Sequence, residues 1–237
     1  MEKLTIRDGI KKIEEAESIA FLTGAGISTP SGVPDYRSLK GIYHGLDQPE
    51  YLLSRTCLFS EPEKFYQFVK TLYHPEARPN VIHRVMAQLE KSKRVTTLSQ
   101  NIDGLHQKAG SHNRVDFHGS LYRCYCQDCQ QQVTVEAYLQ SDRHVECGGQ
   151  LRPDIILYEE GFEQKILNHA TEAVSQAELV VIVGTSFQVH PFCDLVYYAK
   201  PTADILVINQ APVQIQQKYC FIQADAMDIF TQISTKE

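Results

Sequence analysis

The apolar run Ser18-Ile-Ala-Phe-Leu-Thr23 passes without a break into Gly24-Ala-Gly-Ile-Ser-Thr-Pro-Ser-Gly-Val-Pro-Asp-Tyr-Arg37. This junction constrains the fold more than any other stretch of the chain. A continuous apolar strand is one buried on both faces, and it feeds a loop whose small residues let backbone N–H groups approach a pyrophosphate. A helix expected to begin near Ser31 would aim its positive end at the same place. The loop is not the full G-x-G-x-x-G fingerprint, because Thr29 stands at the third glycine position. The tail Pro34-Asp35-Tyr36-Arg37 adds rigid, charged and aromatic groups that a bare phosphate loop does not need, so something besides phosphate is handled here.

Further apolar runs of strand length recur at 95–98, 155–157, 179–183 and 205–208, with helical patterns at 6–16, 80–91, 164–176 and 226–233. Apolar strands alternating with helices predict a parallel sheet covered on both faces, a doubly wound α/β fold that binds ligands at the carboxyl ends of its strands. The runs ending at Val183 and Ile208 enter the polar turns Gly184-Thr185-Ser186 and Asn209-Gln210, which should border the same crevice as the first loop. Two stretches break the alternation. Residues 38–77 are aromatic and helical, with Phe65, Phe68, Val69 and Leu72 at helix spacing, and residues 119–152 are rich in Cys and Gln. The expected organisation is a large domain over 1–37, 78–118 and 153–237, a helical module over 38–77, and a metal-stapled module over 119–152.

With 237 residues, 43% of them apolar, the chain can bury a sizeable core. Its formal charge of −6 argues against stable nucleic-acid binding, which relies on clustered cations. The charged, amphipathic start lacks the apolar stretch of a signal peptide, and no run is long enough to span a bilayer, so the cytoplasm is the expected compartment.

Four of the seven cysteines fall in the second inserted stretch. The two-residue gap of Cys126-Gln-Asp-Cys129 lets two thiolates reach one tetrahedral ion, and Cys147-Gly-Gly supplies a third ligand. The fourth is expected to be His144, with Cys124 as its competitor. Four protein ligands leave no open position, so a zinc ion here would be structural. Cys57, Cys193 and Cys220 sit among apolar neighbours and read as small core residues.

Beyond the strand at 95–98 come Ser99-Gln-Asn-Ile-Asp103, then Gly104-Leu-His-Gln-Lys-Ala-Gly110, and then Asp116-Phe-His118-Gly119, which brings amide, carboxylate and imidazole groups to strand ends. GAGISTPSGVPDYR, SQNIDGLHQKAG, FHGS, the Cys126/Cys129 pair, GGQLRPDIILYEE, GTSFQVHP and the INQ turn stand in the order found in sirtuins, and the chain resembles that family of NAD-dependent protein deacylases from about residue 18 to 228.

The resemblance implies a Rossmann-like domain and a small domain made of a zinc ribbon and a helical module. NAD and an acyl-lysine protein or peptide would meet between the two. It places Gly24, Ala25, Gly26, Ile27, Thr29 and Asp35 along the dinucleotide, with Tyr36 and Arg37 in a loop that closes over it. Gln100 and Asn101 would face the nicotinamide ribose, Ile102 and Asp103 would hold the carboxamide, and His118 would be the general base. Gly184, Thr185 and Ser186 would meet phosphates and ribose, with Asn209, Gln210 and Ala226 toward the adenosine. Read from its residue type alone, Asp103 could merely cap the helix at 104–108. The segment Ile156, Leu157, Tyr158 and Glu159 would pair with the substrate as an added strand, with Glu159 where the family reads glycine. Tyr66 and Val69 would line the acyl pocket at the positions of the Tyr-x-x-Arg pair that selects succinyl groups; valine there predicts acetyl and longer neutral chains. The products implied are nicotinamide, free lysine and O-acyl-ADP-ribose.

Two rival readings share the cleft: a mono-ADP-ribosyltransferase, and a non-catalytic module that senses NAD or binds lysine tails. A dehydrogenase fits poorly, since the acidic residue expected about 20 positions after the glycines would be Asp47, which falls in the helical insert rather than at a strand end.

Overall fold

The computed structural model describes residues 1–35 and 49–234. Tyr36, Arg37 and Asp47 therefore lie outside the described residues. In chain order the elements are β1 (Glu2–Lys3), α1 (Ile6–Glu15), β2 (Ser18–Thr23), α2 (Pro49–Leu52), α3 (Arg55–Ser60), α4 (Pro62–Lys70), α5 (Val81–Leu89), β3 (Arg94–Ser99), α6 (Leu105–Lys108), β4 (Arg114–Asp116), β5 (Gly119–Cys126), β6 (Gln132–Val133), α7 (Val135–Gln140), β7 (Leu151–Ile155), α8 (Gln164–Gln176), β8 (Leu179–Val183), β9 (Asp204–Asn209), β10 (Cys220–Gln223) and α9 (Ala226–Phe230).

Seven strands form a parallel sheet in the order β1-β10-β9-β8-β2-β3-β4. From β2 the chain first adds β3 and β4 on one side, then returns to add β8, β9 and β10 on the other. The direction of winding reverses between β2 and β8, and in open parallel sheets ligands bind outside the strand ends at such a reversal. The central strands explain their continuous apolar sequence. Ala20 and Leu22 of β2 pack with α8 residues Ala170 and Val174 on one face. Ile19 and Phe21 pack on the other with Ile13 of α1, Val85 and Met86 of α5, and Phe230 of α9. Period-2 alternation sends successive side chains to opposite faces, and both faces are covered.

A three-stranded antiparallel sheet, β6-β5-β7, forms the base of the small unit. The apolar run at 155–157, expected to be a strand of the large sheet, is instead divided: Ile155 ends β7, and the residues after it leave the sheet. The sheet also reaches past residue 152, the expected end of the inserted module, because Gly119 stands opposite Ile155. The helical and metal modules share one core, in which Leu58, Phe65 and Val69 pack with Leu121, Tyr138 and Leu151. They constitute a single small unit. Strands β1 and β10 escaped the sequence reading; β1 has only two residues, and its pairing with β10 joins the two ends of the chain.

No α-helix starts near Ser31. Gly24 is followed by two single 3-10 turns, Ala25–Ile27 and Thr29–Ser31, and the second is closed by Gly32 at φ +84°. The left-handed glycine ends the turn before a helix can propagate. Among the described residues no helix is long and apolar enough to cross a membrane.

Under the first loop lie two buried histidines, His83 of α5 and His106 of α6, with ring centroids 4.9 Å apart. Burial pushes His83 down to about 4 and His106 well below its ordinary value, so both are neutral in the folded protein. The unfolded chain takes up protons near 6.5 while the folded chain does not, so stability falls as pH falls through that value. His83 alone should cost about 2 kcal/mol between pH 7 and pH 5. Urea midpoints at the two pH values should show a smaller drop for His83→Gln than for wild type; an equal drop would remove His83 as a source of acid lability.

Candidate active site

A cleft of about 740 Å³ opens at the winding reversal, between the carboxyl ends of the parallel strands and the small unit. One wall consists of two loops pressed together. Gly26 N donates to Gly184 O at 2.8 Å. A Cβ at Gly26 would stand 2.8 Å from that oxygen, one at Gly24 would stand 2.6 Å from the Thr185 Cβ, and Gly184 itself has φ +63°. The small residues in the first loop are thus required chiefly for the approach of one protein loop to another, and the cleft wall they form is a consequence.

Ala25, Gly26, Thr29 and Asp35 from the first loop, Gln100, Asn101 and Ile102 after β3, Gly184, Thr185 and Ser186 after β8, Asn209 and Gln210 after β9, and Ala226 all line the cleft. Thr185 Oγ1 donates to Gln100 Oε1 at 2.9 Å, and Asn209 Nδ2 donates to Thr185 O at 2.7 Å, which links three strand ends. Asn101 Nδ2 donates to Gly24 O at 3.1 Å and to Ser28 Oγ at 3.0 Å. Its amide nitrogen thereby holds the first loop, and the carbonyl oxygen is its remaining polar group.

Three of the expected residues do not line the open cleft. Ile27 is fully buried in the core beneath the loop, and Gly24 turns its carbonyl to Asn101. Asp103 does not line the cleft. One of its oxygens accepts from Ser28 Oγ at 2.6 Å and the other accepts from Leu105 N at 2.8 Å, so the carboxylate caps α6 and buttresses the loop from below. Ser28 joins Asn101 to Asp103, a role the sequence reading missed although the residue stood inside the motif, because only a tertiary contact reveals it. Phe162 and Leu53 were missed for the same reason; both line the cleft.

His118 stands at the cleft floor, with the rings of Phe117, Phe162 and Phe192 at 5.5, 5.8 and 6.2 Å. Its Nδ1 lies 3.1 Å from Gln100 O. A carbonyl only accepts, so Nδ1 carries the proton and Nε2 is left as the basic nitrogen. Burial lowers the His118 pKa and outweighs the Gln100 hydrogen bond, which raises it.

Ile156, Leu157, Tyr158 and Glu159 line the opposite wall. Tyr158 is not available as an open strand edge, because its N–H donates to Leu53 O and its carbonyl accepts from Arg55 N, each at 3.0 Å. Tyr66 and Val69 do not line the cleft. Tyr66 Oη donates to the Tyr138 and Leu139 carbonyls at 2.9 and 3.0 Å, and Val69 is fully buried, because the apolar stripe of α4 faces the shared core of the small unit. Apolar cleft lining comes instead from Leu53, Ile102, Leu157 and Phe162, the last beside His118.

Away from the cleft, Cys126, Cys129, His144 and Cys147 offer four ligand atoms within 4.8 Å of one another. The edges measure 3.5 Å for Cys126–Cys147, 3.3 Å for Cys129–His144 and 3.2 Å for His144–Cys147. Ligands at about 2.0 to 2.3 Å from a tetrahedral zinc give edges of roughly this size. Cys124 is excluded from the set: its thiol is buried beside Leu121 O and Tyr73 Oη. His144 completes a structural zinc site.

The sequence profile of the Sir2 family matches residues 24–191. The chain is 62% identical over all 237 residues to an NAD-dependent protein deacetylase of Enterococcus faecalis, covering 100% of both chains. The chain belongs to the Sir2 family. A second relative, the NAD-dependent protein deacetylase of Listeria innocua, is 53% identical over 222 residues, covering 93% of this chain and 97% of its own. Among solved structures, a Sir2 mutant with a deacetylated p53 peptide and 3′-O-acetyl ADP-ribose superposes with a TM-score of 0.86 at 30% identity, covering 96% of each chain. Sir2Tm bound to a propionylated peptide gives 0.84 at 28% identity over 97% of each.

In this Sir2 protein the zinc ligands hold β5 to the turn before β7, and the same sheet packs on the helical module. Removing zinc with a strong chelator, or substituting Cys129→Ser, should therefore loosen the small unit while the parallel sheet persists. Amide exchange should rise at β5, β6 and β7 with β2 and β8 unchanged. Unaltered exchange at β5 after complete zinc loss would show that packing alone holds the unit.

Proposed function

We infer that this Sir2 protein is an NAD-dependent protein lysine deacetylase that also removes longer neutral acyl groups, releasing nicotinamide and leaving free lysine and O-acyl-ADP-ribose. The observation that carries the reading is His118: a neutral imidazole with its tautomer fixed, at the floor of a cleft lined by loops from several strand ends. The deacetylase names of its relatives and the peptide and ADP-ribose complexes of its structural neighbours support it.

Bound NAD supplies an electrophilic ribose carbon and nicotinamide as a leaving group. The cleft offers backbone and hydroxyl groups of Ala25, Thr29, Thr185 and Ser186 for phosphates and ribose, and the polar ends of Asn209 and Gln210 farther along. Gln100 is held by Thr185, and Asn101 is held through Gly24 and Ser28, so both meet a ribose with little ordering left to lose. Asp103 acts beneath them by fixing Ser28. His118 Nε2 accepts a ribose hydroxyl proton, and the Gln100 carbonyl stabilises the imidazolium that forms. The three phenyl rings around it exclude water from the reacting atoms and keep the imidazole neutral at pH 7.

The acyl end of the substrate would meet Leu53, Ile102, Leu157 and Phe162. No Lys or Arg lines the cleft among the described residues, whereas Asp35, Glu159, Glu160 and Asp225 do. A succinyl carboxylate would find no fixed cation there, so acetyl and decanoyl groups should be removed in preference. All seven cysteines are free of disulfides, which supports a reducing compartment and hence the cytoplasm.

His118→Ala should lower deacylation at least a thousandfold and leave NAD affinity within a few fold, as measured by calorimetry. In wild type the acidic limb of kcat/KM should fall below the ordinary histidine value, because activity requires the unprotonated form and burial lowers its pKa. Retained turnover in His118→Ala, or an acidic limb above that value, would remove His118 as the base.

A further inference from the structure

The wall segment that follows β7 is fastened at two adjacent residues to two different partners. Glu160 forms a bidentate pair with Arg152 of β7, with Nη1–Oε1 at 2.6 Å and Nη2–Oε2 at 3.0 Å. Glu159 reaches the other way. Its Oε2 accepts from Thr56 N at 2.9 Å and from Thr56 Oγ1 at 2.7 Å, in the first turn of α3. The Thr56 amide has no partner within so short a helix start, and the next amide, Cys57 N, is satisfied by Ser54 Oγ at 3.0 Å.

The backbone of Glu159 has φ +72°. A residue with a Cβ in that region carries strain on the order of 1 kcal/mol, which persists only where the surroundings fix it. The surroundings here are the parallel bridge between Ser54 and Tyr158 and the two bonds to Thr56. Glu159 is thus a strained residue whose exposed carboxylate is bonded to the helical module through Thr56.

We propose that Glu159 is a positioning residue for the acyl-lysine substrate, a latch that fastens the Leu157–Glu159 wall to α3 and so sets the shape of the substrate side of the cleft before substrate arrives. The proposal rests on the deacetylase reading. The mechanism is preorganisation: with the latch released, the wall must be ordered at the moment of peptide binding, and that cost appears as weaker peptide affinity. The dinucleotide side of the cleft, built from the parallel strand ends, does not touch the latch.

Glu159→Ala and Glu159→Gly should raise the peptide KM about fivefold, the worth of one or two exposed charge-assisted hydrogen bonds, with the KM for NAD unmoved. Glu159→Gln keeps an acceptor oxygen and should stay within twofold of wild type. Glu159→Gly also relieves the left-handed backbone, so its Tm should change by only a few degrees. An unchanged peptide KM in both the Ala and Gly variants, an equal shift in the NAD KM, or a Gln variant as impaired as Ala would overturn the proposal. Amide exchange at Arg55 and Tyr158 reads the latch without catalysis and should quicken in Glu159→Ala; unchanged exchange also overturns it. A wild-type protein that removes no acyl group from any peptide would instead sink the deacetylase reading, and the exchange experiment would still decide the latch.

Discussion

The contact between the loop after β2 and the loop after β8 is the constraint on which the site depends. Gly26 and Gly184 meet backbone to backbone, and a side chain on either would drive the loops apart where the sheet reverses its winding. With the loops in contact, Thr185 bonds Gln100 and Asn101 bonds Gly24 and Ser28, so the groups that would receive a dinucleotide are fixed before it binds. A disturbance at this contact would reach the ribose end and the phosphate end of the cleft together.

The second feature of the architecture is where the chain crosses from the large unit into β5 and back again after β7. It leaves the parallel sheet at His118 and returns at Ile156, and Ile156 N donates to His118 O at 3.0 Å, so the two crossings run side by side. Gly119 at φ +82° permits this, since a Cβ there would lie 2.0 Å from Asp154 O. The base of the proposed reaction therefore sits at this junction between the units. The candidate zinc ligands, the shared apolar core of the small unit and the Arg152–Glu160 pair all hold the structure on one side of that junction.

Much of this was legible in the sequence, for identifiable reasons. Central strands such as β2 and β8 are buried on both faces and announce themselves as continuous apolar runs. Metal ligands obey a spacing rule, and the choice of His144 over Cys124 followed from it. What stayed hidden depended on three-dimensional neighbours. Tyr66 and Val69 occupy the expected place in the chain, but the stripe of α4 that carries them turns into the core. Asp103 makes the capping bond to Leu105, and its other oxygen serves Ser28, a contact that only the folded neighbourhood reveals. The helix expected near Ser31 was lost to a left-handed Gly32, a local signal present in the sequence and outweighed there by the habit of phosphate loops.

Mass spectrometry of the products formed from NAD and an acetyl-lysine peptide tests the central claim most directly. The account predicts deacetylated peptide, nicotinamide and O-acetyl-ADP-ribose in equal amounts. Nicotinamide release accompanied by an ADP-ribosylated product and intact acetyl-lysine, or no consumption of NAD at all, would contradict it.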